Sequence, residues 1–374
     1  MEFGVMFFSS TDQREGADKY SLLKRATVFA DAHDFCGVWT PERHFTEFGG
    51  LFPNPSVISA ALAMITTRIQ LRAGSLISPL HNPIRIAEEW AVVDQLSGGR
   101  VGISFGSGWN VDDFVFYPER YASRHDLMFD QIGIVQSLWR GEPLTQLNSF
   151  GKEVRVKLVP QPFQSALPVW VTSSGNPETF RRAGACGFNI LAHLLGQDPP
   201  TLAGKIDLYR RARTEHGFDP DAGIVSLMLH TFLGPDVETV RETVRGPFRE
   251  YLRSAIRLEQ SAAAGGGVMS GGREMAADEI PERSVEELLD IAFERYFRRA
   301  ALMGTVAGCR KVVEELERMG VDEIACLIDF GLDDDAVMES LGYVEALKRS
   351  CAAGEQSLLS DLVRDFSEDE EIDD

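Results

Sequence analysis

Apolar residues recur along this chain in two alternating rhythms. Short, nearly continuous apolar runs at residues 3–8, 36–39, 69–77, 101–105, 169–172, 188–192, 224–233 and 323–328 have the length and composition of buried strands. Between them the spacing changes to that of helices, as with Leu22, Leu23, Ala26, Val28, Phe29 and Ala30 inside 18–35. The same rhythm predicts helices over 54–66, 82–96, 124–139, 178–186, 200–216, 237–256, 285–303, 307–319 and 334–351. Asn54-Pro55 and Asn82-Pro83 are start signals, with proline in the first turn, and Gly98-Gly99 is a stop.

Strands that alternate with helices over short links run parallel, because a tight turn cannot join parallel neighbours. Eight such strand signals predict an α/β fold, a closed (β/α)8 TIM barrel, rather than an open doubly wound sheet, and no GxGxxG follows the first strand. Three segments stand outside the repeat. The polar stretch 153–164 reads as a small inserted hairpin. Residues 261–277, with five glycines and little to bury, read as a mobile loop, either a lid or a linker. The barrel domain is expected to span 1–351, and 352–374 to form a flexible acidic tail; Leu358, Leu359, Leu362, Val363 and Phe366 leave an acidic docking helix open there.

Composition narrows the setting. Five widely spaced cysteines with no CxxC pair suggest reduced thiols and a cytoplasmic protein. The chain has no apolar run of membrane-spanning length and no basic signal-peptide start. A formal charge of −20 disfavours nucleic acid and anionic membrane as partners.

In barrels of this type chemistry gathers at the carboxyl ends of strands. The second strand ends in Glu42, Arg43 and His44, an acid, a guanidinium and an imidazole side by side. That is a site or a strand-end salt-bridge cluster. After the fourth strand comes FGSGWN, where Gly106, Ser107 and Gly108 allow close approach to the backbone and Trp109 with Asn110 offers a wall; the plain alternative is a tight turn. After the fifth comes TSSGNPET, with Ser174, Gly175, Asn176 and Thr179 leading into a helix start. Such a turn either cradles a phosphate, with Arg181 and Arg182 in reach, or is an ordinary N-cap. Phe8 and His193 sit at the ends of strands one and six and His230 within strand seven, where they line a substrate space or simply fill the mouth. The seven histidines have no metal-triad spacing and no GxSxG elbow is present, so no metal is expected and a cofactor would carry the reaction.

The ordered set ERHFTEFG (42–49), NPSV (54–57), AGSLISPLHNP (73–83), DQLSGGRV (94–101) and GSGWNVDDF (106–114) resembles the bacterial luciferase-like flavin monooxygenases. The likeness runs at near-constant spacing from residue 1 to about 195 and more weakly to about 350, and is greatest toward the natural-product biosynthesis subgroup. It implies a barrel that takes reduced FMN (FMNH2) from a separate flavin reductase, uses O2 and transfers one oxygen atom to a small-molecule or carrier-protein-tethered substrate. It also implies a homodimer through the helices near strands two and three.

By the same resemblance, the flavin ring lies against a cis peptide at Gly74-Ser75, with Gly106, Ser107 and Asp113 on the flavin loop and the phosphate at Ser174, Gly175, Asn176 and Thr179. The sequence departs from the family at two places. Arg43 stands where luciferase α chains have the first of two histidines, leaving His44 as donor or proton shuttle and Arg43 as an orienter. Ser107 stands where a phosphate-binding arginine is usual, which moves that charge to Arg181 or Arg182. Hydroxylation, N-oxidation and Baeyer–Villiger insertion all stay open. So do a deazaflavin-dependent oxidoreductase and a non-catalytic partner subunit.

Overall fold

The computed structural model describes residues 1–8, 18–47, 49–173, 175–264 and 282–368. Ser174, the Gly-rich loop from residue 265 onward and residues 369–374 of the acidic tail lie outside these. The chain opens with β1 (Glu2–Met6), α1 (Ser21–Ala32), β2 (Gly37–Thr40), α2 (Pro55–Ala63), β3 (Gln70–Ile77), α3 (Pro83–Ser97), β4 (Val101–Gly106) and α4 (Arg124–Trp139). A two-stranded excursion follows, β5 (Leu144–Leu147) and β6 (Glu153–Val156). The alternation then resumes with β7 (Val169–Ser173), α5 (Pro177–Ala185), β8 (Asn189–His193), α6 (Pro199–Glu215), β9 (Val225–Leu233), α7 (Val237–Ala264) and α8 (Glu282–Arg299). The last elements are β10 (Ala301–Gly304), α9 (Val306–Arg318), β11 (Glu323–Leu327) and α10 (Asp334–Glu368).

Among the described residues, eight parallel strands close on themselves in the order β1, β2, β3, β4, β7, β8, β9, β11 and back to β1. This is the (β/α)8 barrel that the alternation predicts. Helix starts follow one local rule. Asn54, Asn82, Asn176 and Asp198 each precede a proline and accept a backbone N–H from the first turn of α2, α3, α5 and α6. The side chain satisfies an orphan donor while proline occupies a position whose N–H has no partner anyway.

Four boundaries differ from the sequence reading. The hairpin starts at Leu144, not at residue 153, because its first strand is almost wholly exposed and carries no core-facing signal. Ala301–Gly304, read as a helix end, is a ninth parallel strand paired to the outer half of β9; a four-residue apolar run fits either state by periodicity alone. α7 reaches Ala264, and α10 continues past Cys351 to Glu368. No helix among the described residues is long and apolar enough to cross a membrane.

The amino-terminal half of the barrel is filled. Arg72 on β3 pairs with Glu323 on β11 at 2.7 Å, and its guanidinium lies 4.8 Å from the Trp39 ring and 4.6 Å from the Trp170 ring. Trp39 Nε1 donates to Glu323 Oε1 at 2.9 Å, and the two indoles meet edge to face. With that end closed, the space left for chemistry is at the carboxyl ends.

Candidate active site

β2 delivers Glu42, Arg43 and His44 to the mouth, where the three do different things. The Glu42 carboxylate is fully buried. Its Oε1 accepts from His44 Nε2 at 2.9 Å and His81 Nε2 at 2.6 Å, and its Oε2 from the Ile77 N–H at 2.7 Å. Burial pushes its pKa up, but the hydrogen bonds from the two imidazoles and the amide outweigh it and hold the group below the usual value. His81 moves the other way: burial pulls its pKa down, and Glu42 raises it by more. With Nε2 bound to Glu42, His44 keeps Nδ1 for other work; its ring is flanked by Phe45 and Phe116.

Arg43 is 6% exposed. Its guanidinium lies 4.8 Å from the Phe8 ring and 5.4 Å from the Trp109 ring. Asp113, on the loop after β4, is buried and accepts from Asn110 Nδ2 at 2.8 Å. Desolvation raises its pKa, against the pull of Arg43 and His44. A cleft of about 480 Å³ opens beside these groups, lined by Lys19, Arg43, His44, Phe45, Thr46, Glu47, Gly50, Leu51 and Pro53.

Across the mouth, the Gly74–Ser75 peptide is cis, at the position the resemblance gives. Ser75 Oγ and Ser104 Oγ both lie 2.6 Å from Thr172 Oγ1, a row of hydroxyls on β3, β4 and β7. A Cβ on Gly106 would come 3.3 Å from Ser75 Cβ, and one on Gly108, at φ +77°, would strike Ile77 at 2.8 Å. Glycine at these two positions therefore lets the backbone after β4 pack directly against Ser75 and Ile77. Ser107 is half-buried beside them.

At the tip of β7, Asn176 caps α5 by accepting the Glu178 N–H at 3.0 Å, and the Thr179 N–H bonds the Asn176 carbonyl. Arg181 is exposed and paired with Glu178; Arg182 pairs with Asp126 and stacks on Phe129. The buried cation nearest the tip is one the sequence reading passed over. Lys205, 8% exposed, points its ammonium to 4.0 Å from a Cβ built on Gly175. It donates to Gln197 Oε1 at 2.7 Å and makes no ion pair with any described residue. A helix start beside an ammonium with donors to spare fits a phosphate.

His193 and His230 lie on β8 and β9. Burial lowers the pKa of His193 to about 4 with help from Lys205, and that of His230 to about 3 with help from His193, so both are neutral. The Leu195 N–H donates to His193 Nδ1, and His230 packs edge-on against Phe248, Tyr251 and Phe330. The structure thus joins Glu42, Arg43, His44, Asp113, Asn110, Trp109 and Phe8 in one neighbourhood. His81 was legible in the sequence as the residue before Asn82-Pro83 at the end of strand three. Lys205 was not, since nothing in a helix interior marks it.

Residues 1–323 match the model of the luciferase-like monooxygenase family. The oxygenase component of the flavin-dependent trigonelline monooxygenase of Acinetobacter baylyi is 25% identical over 346 residues, 88% of this chain and 89% of that one. The alkanal monooxygenase alpha chain of the Kryptophanaron alfredi symbiont is 28% identical over 59% of this chain and 61% of its own. The FMN complex of the oxygenating constituent of 3,6-diketocamphane monooxygenase from Pseudomonas putida, a type II Baeyer–Villiger enzyme, superposes with a TM-score of 0.72 at 18% identity, covering 92% of this chain and 96% of that one. An F420-dependent secondary alcohol dehydrogenase shares the fold at a TM-score of 0.64 and 17% identity, over 92% of this chain and 99% of its own. The chain belongs to the luciferase-like monooxygenase family and is a flavin-dependent monooxygenase.

Proposed function

We propose that this protein binds reduced FMN supplied by a separate reductase and, with O2, places one oxygen atom on a biosynthetic intermediate, free or tethered to a carrier protein. The observation that carries the reading is a carboxylate-locked imidazole, Glu42 with His44, at the same end of the barrel as the cis Gly74–Ser75 peptide and the Gly106 and Gly108 backbone packed against it. When bound, the reduced flavin supplies the electrons that activate O2; everything else falls to the protein.

Each residue then has a defined task. Gly175, Asn176 and Thr179, with the Lys205 ammonium, would hold the phosphate, and the mutually bonded hydroxyls of Ser75, Thr172 and Ser104 would brace the strand ends beside the cis Gly74–Ser75 peptide. Glu42 fixes His44 with its proton on Nε2, so Nδ1 is the atom that takes or gives a proton at the reacting centre. Asp113 and Asn110 stiffen the loop after β4. Phe8, Trp109 and the aromatic ring set around His230 keep water out, which favours oxygen transfer over release of peroxide. Exposed apolar side chains on α2 and α3, among them Val57, Val92 and Leu96, with Met64 just after α2, support a homodimer through those helices.

Anaerobic titration with FMNH2 and with reduced F420 tests the reading. Tight binding of FMNH2 is expected, together with oxidised flavin that reappears more slowly on mixing with O2 than it does from free FMNH2. Preference for F420 would transfer the protein to the deazaflavin enzymes, and binding of neither would leave it a non-catalytic partner.

A further inference from the structure

Among the described residues three arginines are buried, Arg43, Arg72 and Arg213. Two are fully engaged. Arg72 meets Glu323 and Gln70, and Arg213 donates to the carbonyls of Asp219 and Phe188 and to the Tyr209 hydroxyl. Arg43 differs. Its guanidinium makes no hydrogen bond or ion pair with any described residue, its Nε is buried with no partner, and burial works against its charge. The faces of the fork are covered by Phe8 and Trp109, which leaves the N–H edge to the cleft. Asp113 favours that charge without a hydrogen bond to it.

A desolvated guanidinium with unused donors is incomplete without an anion. A planar fork between two aromatic faces matches a planar carboxylate, which takes two parallel N–H donors. The rest of the cleft agrees with an organic acid: Phe45, Leu51 and Pro53 offer apolar surface, Lys19 adds a second positive charge, and the one acid lining it, Glu47, is exposed. We infer that Arg43 is the anchor for a carboxylate on the substrate, so that this monooxygenase acts on carboxylate-bearing compounds held by that group at the end of β2. The inference rests on the proposed function for the reaction itself, and extends it to the class of molecule oxidised.

The test uses benzoate and its neutral isostere benzamide as probes, titrated calorimetrically into the full chain, with FMN titrated in parallel. Wild type is expected to bind benzoate about 10-fold or more tighter than benzamide, the size of a charge-assisted pair. Arg43→Gln should erase that preference and Arg43→Lys should keep part of it, with the Kd for FMN unchanged in both. Equal binding of the two probes to wild type would overturn the assignment, as would a preference that survives in Arg43→Gln. Loss of FMN binding in Arg43→Gln and Arg43→Lys would instead give Arg43 to the flavin's own anion and overturn it too. If Arg43→Gln does not fold, the wild-type comparison and Arg43→Lys decide. Failure of wild type to bind FMN would sink the proposed function while leaving the benzoate result to stand or fall alone.

Discussion

Glu42 Oε1 and His81 Nε2 stand 2.6 Å apart, and through the same oxygen Glu42 also holds His44, so one carboxylate ties the end of β2 to the turn after β3. The ionic pair has a defined pH window. Glu42 is held below its ordinary 4.5, so its contribution is present above that value and is lost as pH falls through the lowered pKa. His81 is held above 6.5, so its contribution is complete below 6.5 and is lost as pH rises through the raised pKa. In Glu42→Gln only burial acts strongly on His81, and its titration, followed by NMR, should drop below 6.5. A midpoint that stays above it would give the role to Glu89.

His44→Ala tests the proton-handling assignment directly. A positioned acid or base is worth about 10²-fold or more in turnover. Oxygenated product is expected to fall by that factor while FMN still binds, with the reducing equivalents appearing as H2O2. Unchanged coupling of flavin oxidation to product would remove His44 from the chemistry.

These two residues also show what a sequence can and cannot disclose. The strand that carries Glu42 and His44 ends in polar groups at the mouth because an apolar run must stop somewhere, and that stop is visible in one dimension. The eight barrel strands and the four Asx-Pro helix starts are visible for the same reason: each is a local pattern. Partnerships are not local. Glu42 and His81 are 39 residues apart, and Lys205 reaches Gly175 from a different helix, so neither pairing leaves a periodic trace. Arg181 and Arg182 drew attention by proximity in the chain, yet their helix turns them to Glu178 and Asp126.

Lys205→Met removes the buried ammonium beside the β7 tip while keeping most of the side-chain volume. Loss of one charge-assisted contact to a phosphate corresponds to about 10-fold in affinity. The Kd for FMN should therefore rise by about that factor, and the Kd for riboflavin, which lacks the phosphate, should not move. An equal loss for both flavins would mean that Lys205 shapes the loop through Gln197 rather than meeting the phosphate.

Arg72 and Glu323 pose the opposite case, a buried pair that the chemistry does not touch. The two lie at the filled end of the barrel, each nearly inaccessible, with Trp39 donating to the same carboxylate. Removing one partner strands the other charge in a low-dielectric interior, a change that costs about 3–5 kcal/mol, whereas removing both together costs less. Glu323→Gln should thus lower stability in urea by roughly that amount, and Arg72→Met combined with Glu323→Gln should recover part of it. Because the carboxyl-end mouth is built on other residues, FMN affinity measured on the folded fraction should stay constant through this series. A large loss of FMN binding at full folding would show that the two ends of the barrel are coupled, and that the filled end shapes the mouth above it.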